Sequence, residues 1–422
     1  MDRIRIAQVG CGGMGLRHIY GHIELQRMGF DTFDMVVLCD RHTTSAEHVA
    51  SEFERATGKR PKVYADFEEM LEKEPGLEAI SITTDTRAHH SLCEMALEAG
   101  KHVSVEKPMG LTVRACHRMM ASAERAGKVL SVAENFRRDP INRLVKALLD
   151  KGAIGAPRLV ITVSARGGAD ILQSTGWRHS KTRGGYFLDY GVHETDLLHY
   201  FLGDWKSVFA ETHLWETVRQ ASDRTGLLDK FYAHRVEEDA REGRIVATGQ
   251  DTVMAVTRYT SGVMGSISMS WAAHGEATNL GIIYGDCGSI QLPHSRSGKP
   301  VKLTPSGASE PLSEQQVLDL VPDFELDDTT AAFYGKRKRL ASYDKTFPQA
   351  DAALIAIEMQ DFANAIRGRS QPEVDGTLGL KAVAKCYAVL ESGLAGLPVS
   401  VADVEADKVC AYQEEINRSV GL

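Results

Sequence analysis

Hydrophobic positions divide the chain into two stretches with different rhythms. Residues 3–9, RIRIAQV, alternate and then turn apolar, as a buried strand does. A glycine cluster follows, and residues 16–28, LRHIYGHIELQRM, repeat at helical spacing. The pattern continues with a strand over 33–40, a helix over 43–59, a short extended piece at 62–66 and a helix at 67–74. Strands at 77–84, 102–108 and 129–135 are separated by helices at 89–100 and 116–127. Such alternation predicts a doubly wound parallel α/β sheet.

Beyond residue 139 the rhythm changes. A helix over 141–152 precedes longer extended segments at 157–166, 205–215, 251–260 and 262–271, the last two split by the hairpin signal Ser261-Gly262. These predict one large, mainly antiparallel open sheet in an α+β unit. A charged stretch at 222–246 and a Pro/Ser/Gly-rich stretch at 293–314 read as insertions or loops. Ile355, Met359, Phe362 and Ile366 recur at helical spacing, and residues 379–396 form a second amphipathic helix. The expected division is 1–138 and 139–422, with the final helices free to pack back on the first unit. No internal repeat interrupts it.

Composition narrows the function. With 422 residues, 43% hydrophobic and 25% charged, the chain has ordinary globular composition, which excludes a disordered or collagenous protein. The 49 Lys and Arg stand against 57 Asp and Glu, a formal charge of −8, and no basic block occurs, so no nucleic-acid partner is expected. Seven cysteines without a C-x-x-C predict neither a disulfide framework nor a cysteine zinc site, and point to a reducing, cytoplasmic compartment. The first residues run straight into a strand pattern rather than a leader pattern, and no apolar run is long enough to span a membrane.

Two constellations carry chemistry. Gly10-Cys11-Gly12-Gly13-Met14-Gly15 is a G-x-G-x-x-G between a predicted strand and a predicted helix, the context in which glycines let a pyrophosphate approach backbone N–H groups. The second strand ends in Asp40, whose carboxylate suits the two ribose hydroxyls and would repel a 2′-phosphate, favouring NAD. Arg41 follows directly and suits a 2′-phosphate, so NADP stays open. A glycine turn without ligand, with Asp40 as a loop cap, is the plainer alternative. Glu106-Lys107-Pro108 ends a strand at the carboxyl edge of the sheet, where ligands bind in this architecture. Residues 184–196, GGYFLDYGVHETD, place Asp189, His193 and Asp196 at i, i+4 and i+7, on one face of a helix. An imidazole beside a carboxylate can act as a base near neutral pH. D-x-x-x-H also has metal-ligand spacing, but no third soft ligand is evident and no metal is expected. A capping Asp with a satisfied histidine is the plainer reading here.

Together these residues resemble the glucose–fructose oxidoreductase/inositol dehydrogenase/MocA family of NAD(P)-dependent oxidoreductases. Residues 96–108, ALEAGKHVSVEKP, match its E-K-P block in full, and G-G-x-x-x-D-x-G-x-H-x-x-D is intact at 184–196. AENFRRDP at 133–140 looks like its domain junction, GDCGSI at 285–290 like a late strand turn, and 362–399 like its closing helices. The family's T-P-N-x-x-H turn appears as Thr84-Asp85-Thr86-Arg87-Ala88-His89, with a carboxylate in place of the proline. The resemblance implies a Rossmann domain joined to an α+β domain that binds substrate and makes subunit contacts. It implies hydride transfer between a secondary alcohol of a sugar or polyol and nicotinamide. It assigns His193 as base, Asp189 as orienter of that imidazole and sugar contact, and Lys107 as stabiliser of alkoxide charge. It adds Thr83, Thr84, Thr86, His89, Glu106, Lys107 and Asn135 to the glycine loop with Met14, Asp40 and Arg41 as cofactor contacts. Lys107, Asn135, Trp177, Arg178, Asp189, His193 and Asp196 are the implied substrate contacts, with Trp177 and Arg178 closing over the cleft. A homodimer or homotetramer is implied through the open sheet face. The extra length, at 216–250 and 293–345, would line the cleft or join subunits. Two other functions remain: a glycoside-processing or epimerising enzyme that recycles bound NAD, and a dinucleotide sensor without catalysis.

Overall fold

In the computed structural model, which describes residues 2–172, 175–221, 231, 233–234 and 243–422, two sheets organise the chain. The first contains β1 (Ile4–Val9), β2 (Phe33–Cys39), β3 (Lys62–Tyr64), β4 (Ala79–Ile82), β5 (His102–Glu106) and β6 (Leu130–Ala133). Its order is β3-β2-β1-β4-β5-β6 and every pairing is parallel. Helices α1 (Gly13–Arg27), α2 (Thr43–Thr57), α3 (Phe67–Lys73), α4 (Thr86–Glu98) and α5 (Val113–Ala126) connect the strands. β4 and β6 are buried at every position, which is why they read as continuous apolar runs rather than alternating ones. Each fully buried Ile, Leu or Val contributes about 1.5–3 kcal/mol.

Short side chains start the helices. The Asp66 carboxylate accepts from Glu69 N at the start of α3, and the Thr112 hydroxyl from Ala115 N at the start of α5. Asp139 caps α6 (Pro140–Asp150), with Pro140 in the first turn where a missing N–H costs nothing. Its second oxygen accepts from Arg296 N (2.7 Å) and the Tyr343 hydroxyl (3.0 Å), so one cap also anchors the insertion at 293–345.

The second sheet holds β7 (Pro157–Gly167), β8 (Trp205–His213), β11 (Thr252–Tyr259), β12 (Met264–Ala273), β13 (Thr278–Gly285), β14 (Gly288–Gln291), β15 (Lys302–Pro305) and β16 (Val399–Ser400). Its order is β15-β14-β13-β7-β12-β11-β8-β16. β11 and β12 form the expected hairpin, with Gly262 at φ +92° in the turn. The sheet is mainly antiparallel, as expected, with one parallel pairing, β7 with β12, at its centre. The stretch at 293–314 departs from expectation. β15 lies inside the stretch read as loop, because four residues between Pro- and Gly-rich flanks are too few to show a period. β9 (Val218–Gln220) and β10 (Arg244–Val246) make a separate ribbon. The charged stretch at 222–246 otherwise falls almost wholly outside the described residues.

Helix α7 (Gly185–Leu202) and two long helices, α8 (Phe347–Ile366) and α9 (Gly376–Ala395), complete the core. α8 lies against α1: the Arg17 guanidinium holds the Asp351 carboxylate, and Thr32 Oγ1 donates to Gln360 Oε1 (2.7 Å). Just before α9, Val132 N of β6 donates to Val374 O (2.9 Å). Residues from the end of the chain therefore finish the first sheet. The α1–α8 approach is made at Gly21, where a Cβ would stand 2.4 Å from Ile355 Cγ2. Gly21→Ala should overpack this crossing and cost about 1–3 kcal/mol, read as a lower urea midpoint.

Candidate active site

The carboxyl ends of β1, β2 and β4 open into a cleft of about 800 Å³. Gly10, Gly12, Gly13, Met14, Asp40, Arg41, Thr83 and Thr84 line it, with Trp177 and Arg178 on the opposite side. The glycines act differently. Gly10 has φ +90°, and a Cβ there would lie 2.7 Å from Thr83 C; on Gly15 it would meet Gly10 O at 2.0 Å. Packing alone requires both. At Gly12 a Cβ would meet nothing within 4 Å, and this residue begins α1 with no side-chain cap. Its surroundings are an open cradle at a helix N-terminus, suited to a pyrophosphate. Asp40 Oδ2 accepts from Cys11 N (2.7 Å) and Oδ1 from His42 N (2.8 Å), leaving a second lone pair on each oxygen for a ribose diol. Asn135 is buried, and its Oδ1 has no hydrogen-bond partner among the described residues, as a ligand contact would require. These residues fit a nicotinamide dinucleotide.

Four expected cofactor contacts support the cleft without lining it. Gly15 provides the close turn. Thr86 is buried in the first turn of α4. The His89 ring lies between Pro108 O (2.9 Å) and Thr84 O (3.2 Å), joining two loops of the cleft. Glu106 meets His18 Nε2 of α1 (2.9 Å). The carboxylate that replaces the family's proline, Asp85, pairs with Arg183 Nη2 (2.8 Å) across the cleft.

Lys107, Asp189 and His193 converge beside this cleft, but their partners differ from the expected ones. Lys107 Nζ donates to Asp189 O (3.0 Å) and Oδ1 (3.1 Å), and Arg178 Nε donates to Asp189 Oδ2 (2.7 Å). Burial would raise the Asp189 carboxyl; the two cations outweigh it and hold it well below the usual range. Asp189 therefore positions Lys107 and does not touch the imidazole. That task falls to Glu134, whose oxygens lie 2.9 and 2.7 Å from His193 Nδ1. An ionised carboxylate only accepts, so Nδ1 carries the proton and Nε2 keeps its lone pair. Burial lowers the imidazole below its ordinary value, opposed by Glu134 and reinforced by Lys107. Phe136 stacks on the ring at 4.0 Å and 5°.

Asp196 is also reassigned. Arg137 Nε and Nη2 donate to its two oxygens at 2.8 and 2.5 Å, and the carboxylate is 2% exposed. It holds Arg137 rather than a substrate hydroxyl. Trp177 and Arg178 do border the cleft, the guanidinium lying 4.4 Å from the indole centroid.

Sequence reading overlooked Glu134, Phe136, Arg137 and Arg183. A signal for the first was present. Glu106 and Ala133 are partners in the β5–β6 pairing, so Lys107 and Glu134 leave neighbouring strands side by side. A carboxylate ending the strand next to E-K-P shares its edge.

Known proteins share this fold. Residues 4–134 match the model of an oxidoreductase family with an NAD-binding Rossmann fold, and residues 142–291 match the Gfo/Idh/MocA C-terminal domain. D-apiose dehydrogenase of Paraburkholderia graminis is 26% identical over 416 residues, 96% of this chain and 92% of that protein. Levoglucosan dehydrogenase of Pseudarthrobacter phenanthrenivorans is 26% identical over 70% of this chain and 75% of its own. In fold, the chain resembles a levoglucosan dehydrogenase solved with NADH, with a TM-score of 0.72 at 21% identity over 95% of this chain and 99% of that one. The chain belongs to the Gfo/Idh/MocA family of NAD-binding oxidoreductases.

Proposed function

We propose that the chain oxidises a secondary alcohol of a sugar, polyol or sugar derivative, or runs the reverse reduction. One observation carries this reading: Glu134 holds His193 through Nδ1, leaving Nε2 unpartnered among the described residues, near the Lys107 ammonium and the dinucleotide cleft. The dehydrogenases named among its relatives point to the same substrate class. Bound NAD would supply the hydride acceptor, C4 of its nicotinamide ring. The chain supplies the rest. His193 Nε2 takes the hydroxyl proton, and Glu134 stabilises the imidazolium that forms. Lys107, held by Asp189, places positive charge beside the developing alkoxide. Asn135 and Arg178 are positioned to orient the ligand.

We further read 1–138 as the Rossmann domain and 139–422 as the substrate domain. Seven unpaired cysteines support a cytoplasmic location. Among the described residues no helix is long and apolar enough to cross a membrane. Phe209, Met254, Val256 and Met264 are 41–61% exposed on the outer face of the second sheet, an apolar patch that suits a dimer or tetramer contact.

Absorbance at 340 nm with NAD or NADP and a panel of sugars, inositols and glycosides should rise with one class, NAD being preferred. His193→Ala and Lys107→Ala should each lose about 10²–10⁴-fold in kcat/KM while still binding NAD by fluorescence titration. A flat trace despite tight NAD binding would favour internal cofactor recycling.

For alcohol oxidation, rate should fall on the acid side as His193 protonates, with a midpoint below 6.5. Glu134 raises that value, so Glu134→Gln should move the acid limb of the pH–rate profile to lower pH and lower the plateau. Light scattering should give a multiple of 46.2 kDa, and Val256→Glu should shift it toward the monomer.

A further inference from the structure

Thr162, Ser164 and Arg166 alternate along β7 and share one face of the strand. Tyr186, Tyr190 and Glu194 recur every four residues on α7 and form the facing stripe. Where the two rows meet, Arg166 Nη2 donates to Tyr190 Oη at 2.6 Å, while Thr162 Oγ1, Ser164 Oγ and the Tyr186 hydroxyl have no hydrogen-bond partner among the described residues. A guanidinium has five donors, and among the described residues only this one is used.

Arg166 is half-buried, and the buried guanidiniums of the chain show what it lacks. Arg17 pairs with Asp351, Arg137 with Asp196, Arg138 with Glu373 and Arg219 with Asp251. Arg166 has no carboxylate within ion-pair distance among the described residues, and its buried Nε has no hydrogen-bond partner there. Two aromatic rings fix it in place, with the guanidinium carbon 5.4 Å from the Tyr190 centroid and 5.3 Å from that of Trp271. Tyr190 in turn stands edge-on to His193, with centroids 6.4 Å apart at 85°. An uncompensated, preorganised cation thus lies one ring away from the base.

We propose that Arg166 receives a carboxylate carried by the substrate, so that the alcohol oxidised at His193 belongs to a sugar acid such as a uronate or an aldonate. This rests on the hydride-transfer reading of the site and names its substrate class. The guanidinium fork matches a carboxylate in two parallel hydrogen bonds. A single charge also matches a monoanion better than a phosphate dianion. The chain's formal charge of −8 gives an anion no general attraction, so a local cation is needed to draw one in.

The test titrates NAD-loaded protein calorimetrically with a panel of uronates and aldonates, including D-galacturonate and D-gluconate. Their neutral counterparts D-galactose and D-glucitol, and D-glucose 6-phosphate, serve as comparisons. Wild type should bind at least one carboxylate about tenfold or more tighter than its neutral counterpart. Arg166→Met should remove roughly 10–100-fold of that affinity, the range for a hydrogen bond to a charged group, while NAD and neutral polyols bind within about twofold. Arg166→Lys should recover part of it. Turnover of the acid should show a raised KM with kcat little changed. Absence of carboxylate binding, equal binding of acid and neutral sugars, equal loss of both in Arg166→Met, or tighter binding of the phosphate would each overturn the proposal. Failure of the hydride-transfer reading is seen separately, as a carboxylate that binds through Arg166 yet leaves absorbance at 340 nm unchanged.

Discussion

The site depends on the neutralisation of one buried carboxylate. Asp189 is 5% exposed, and an ionised carboxyl so far from water is tolerated only when charges and hydrogen bonds replace its hydration. Lys107 and Arg178 do this from two directions. Lys107 follows β5 of the first sheet, and Arg178 belongs to the segment that borders the cleft from the other side. The need to satisfy Asp189 therefore draws three parts of the chain to one point. The same arrangement leaves Lys107 with its charge oriented by Asp189 rather than free to wander.

A second buried carboxylate does comparable work farther from the chemistry. Asp351 on α8 receives both Arg17 of α1 and Arg296 of the 293–345 insertion. Arg296 also lies over Phe136, the ring stacked on His193. The insertion is thus wired to the His193 ring through one arginine. Burial makes such pairs costly to break rather than intrinsically strong: removing one partner strands the other charge, at about 3–5 kcal/mol.

Much of this was legible in the residues. G-x-G-x-x-G between strand and helix located the cleft, and the helical spacing of Asp189, His193 and Asp196 placed three groups on one face of α7. What spacing could not reveal was their partners. The shared helix face suggested Asp189 as the partner of His193 and Asp196 as a substrate contact, yet each group is met from another element: Lys107 for Asp189, Glu134 for His193, Arg137 for Asp196. Those pairs are separated by 82, 59 and 59 positions, beyond the reach of any local pattern. Strand order escaped for the same reason. Alternation marks β7 and β12 as strands, but their parallel pairing depends on tertiary packing. Glu106 and His89 carry family motifs, yet Glu106 engages His18 of α1 and His89 joins two loops of the cleft, so neither lines it.

Residues 134–137 bear four separate duties in succession. Glu134 orients the imidazole, Asn135 presents an unpartnered amide oxygen, Phe136 stacks on His193, and Arg137 holds Asp196. No residue of this run is a neutral spacer. An insertion or deletion there would misplace all four groups together, and each substitution must respect the backbone that serves its three neighbours. The segment is a cassette that evolution can keep or discard but hardly edit. Diversity in what the fold accepts is then pushed to surfaces with looser obligations, such as the strand face of β7.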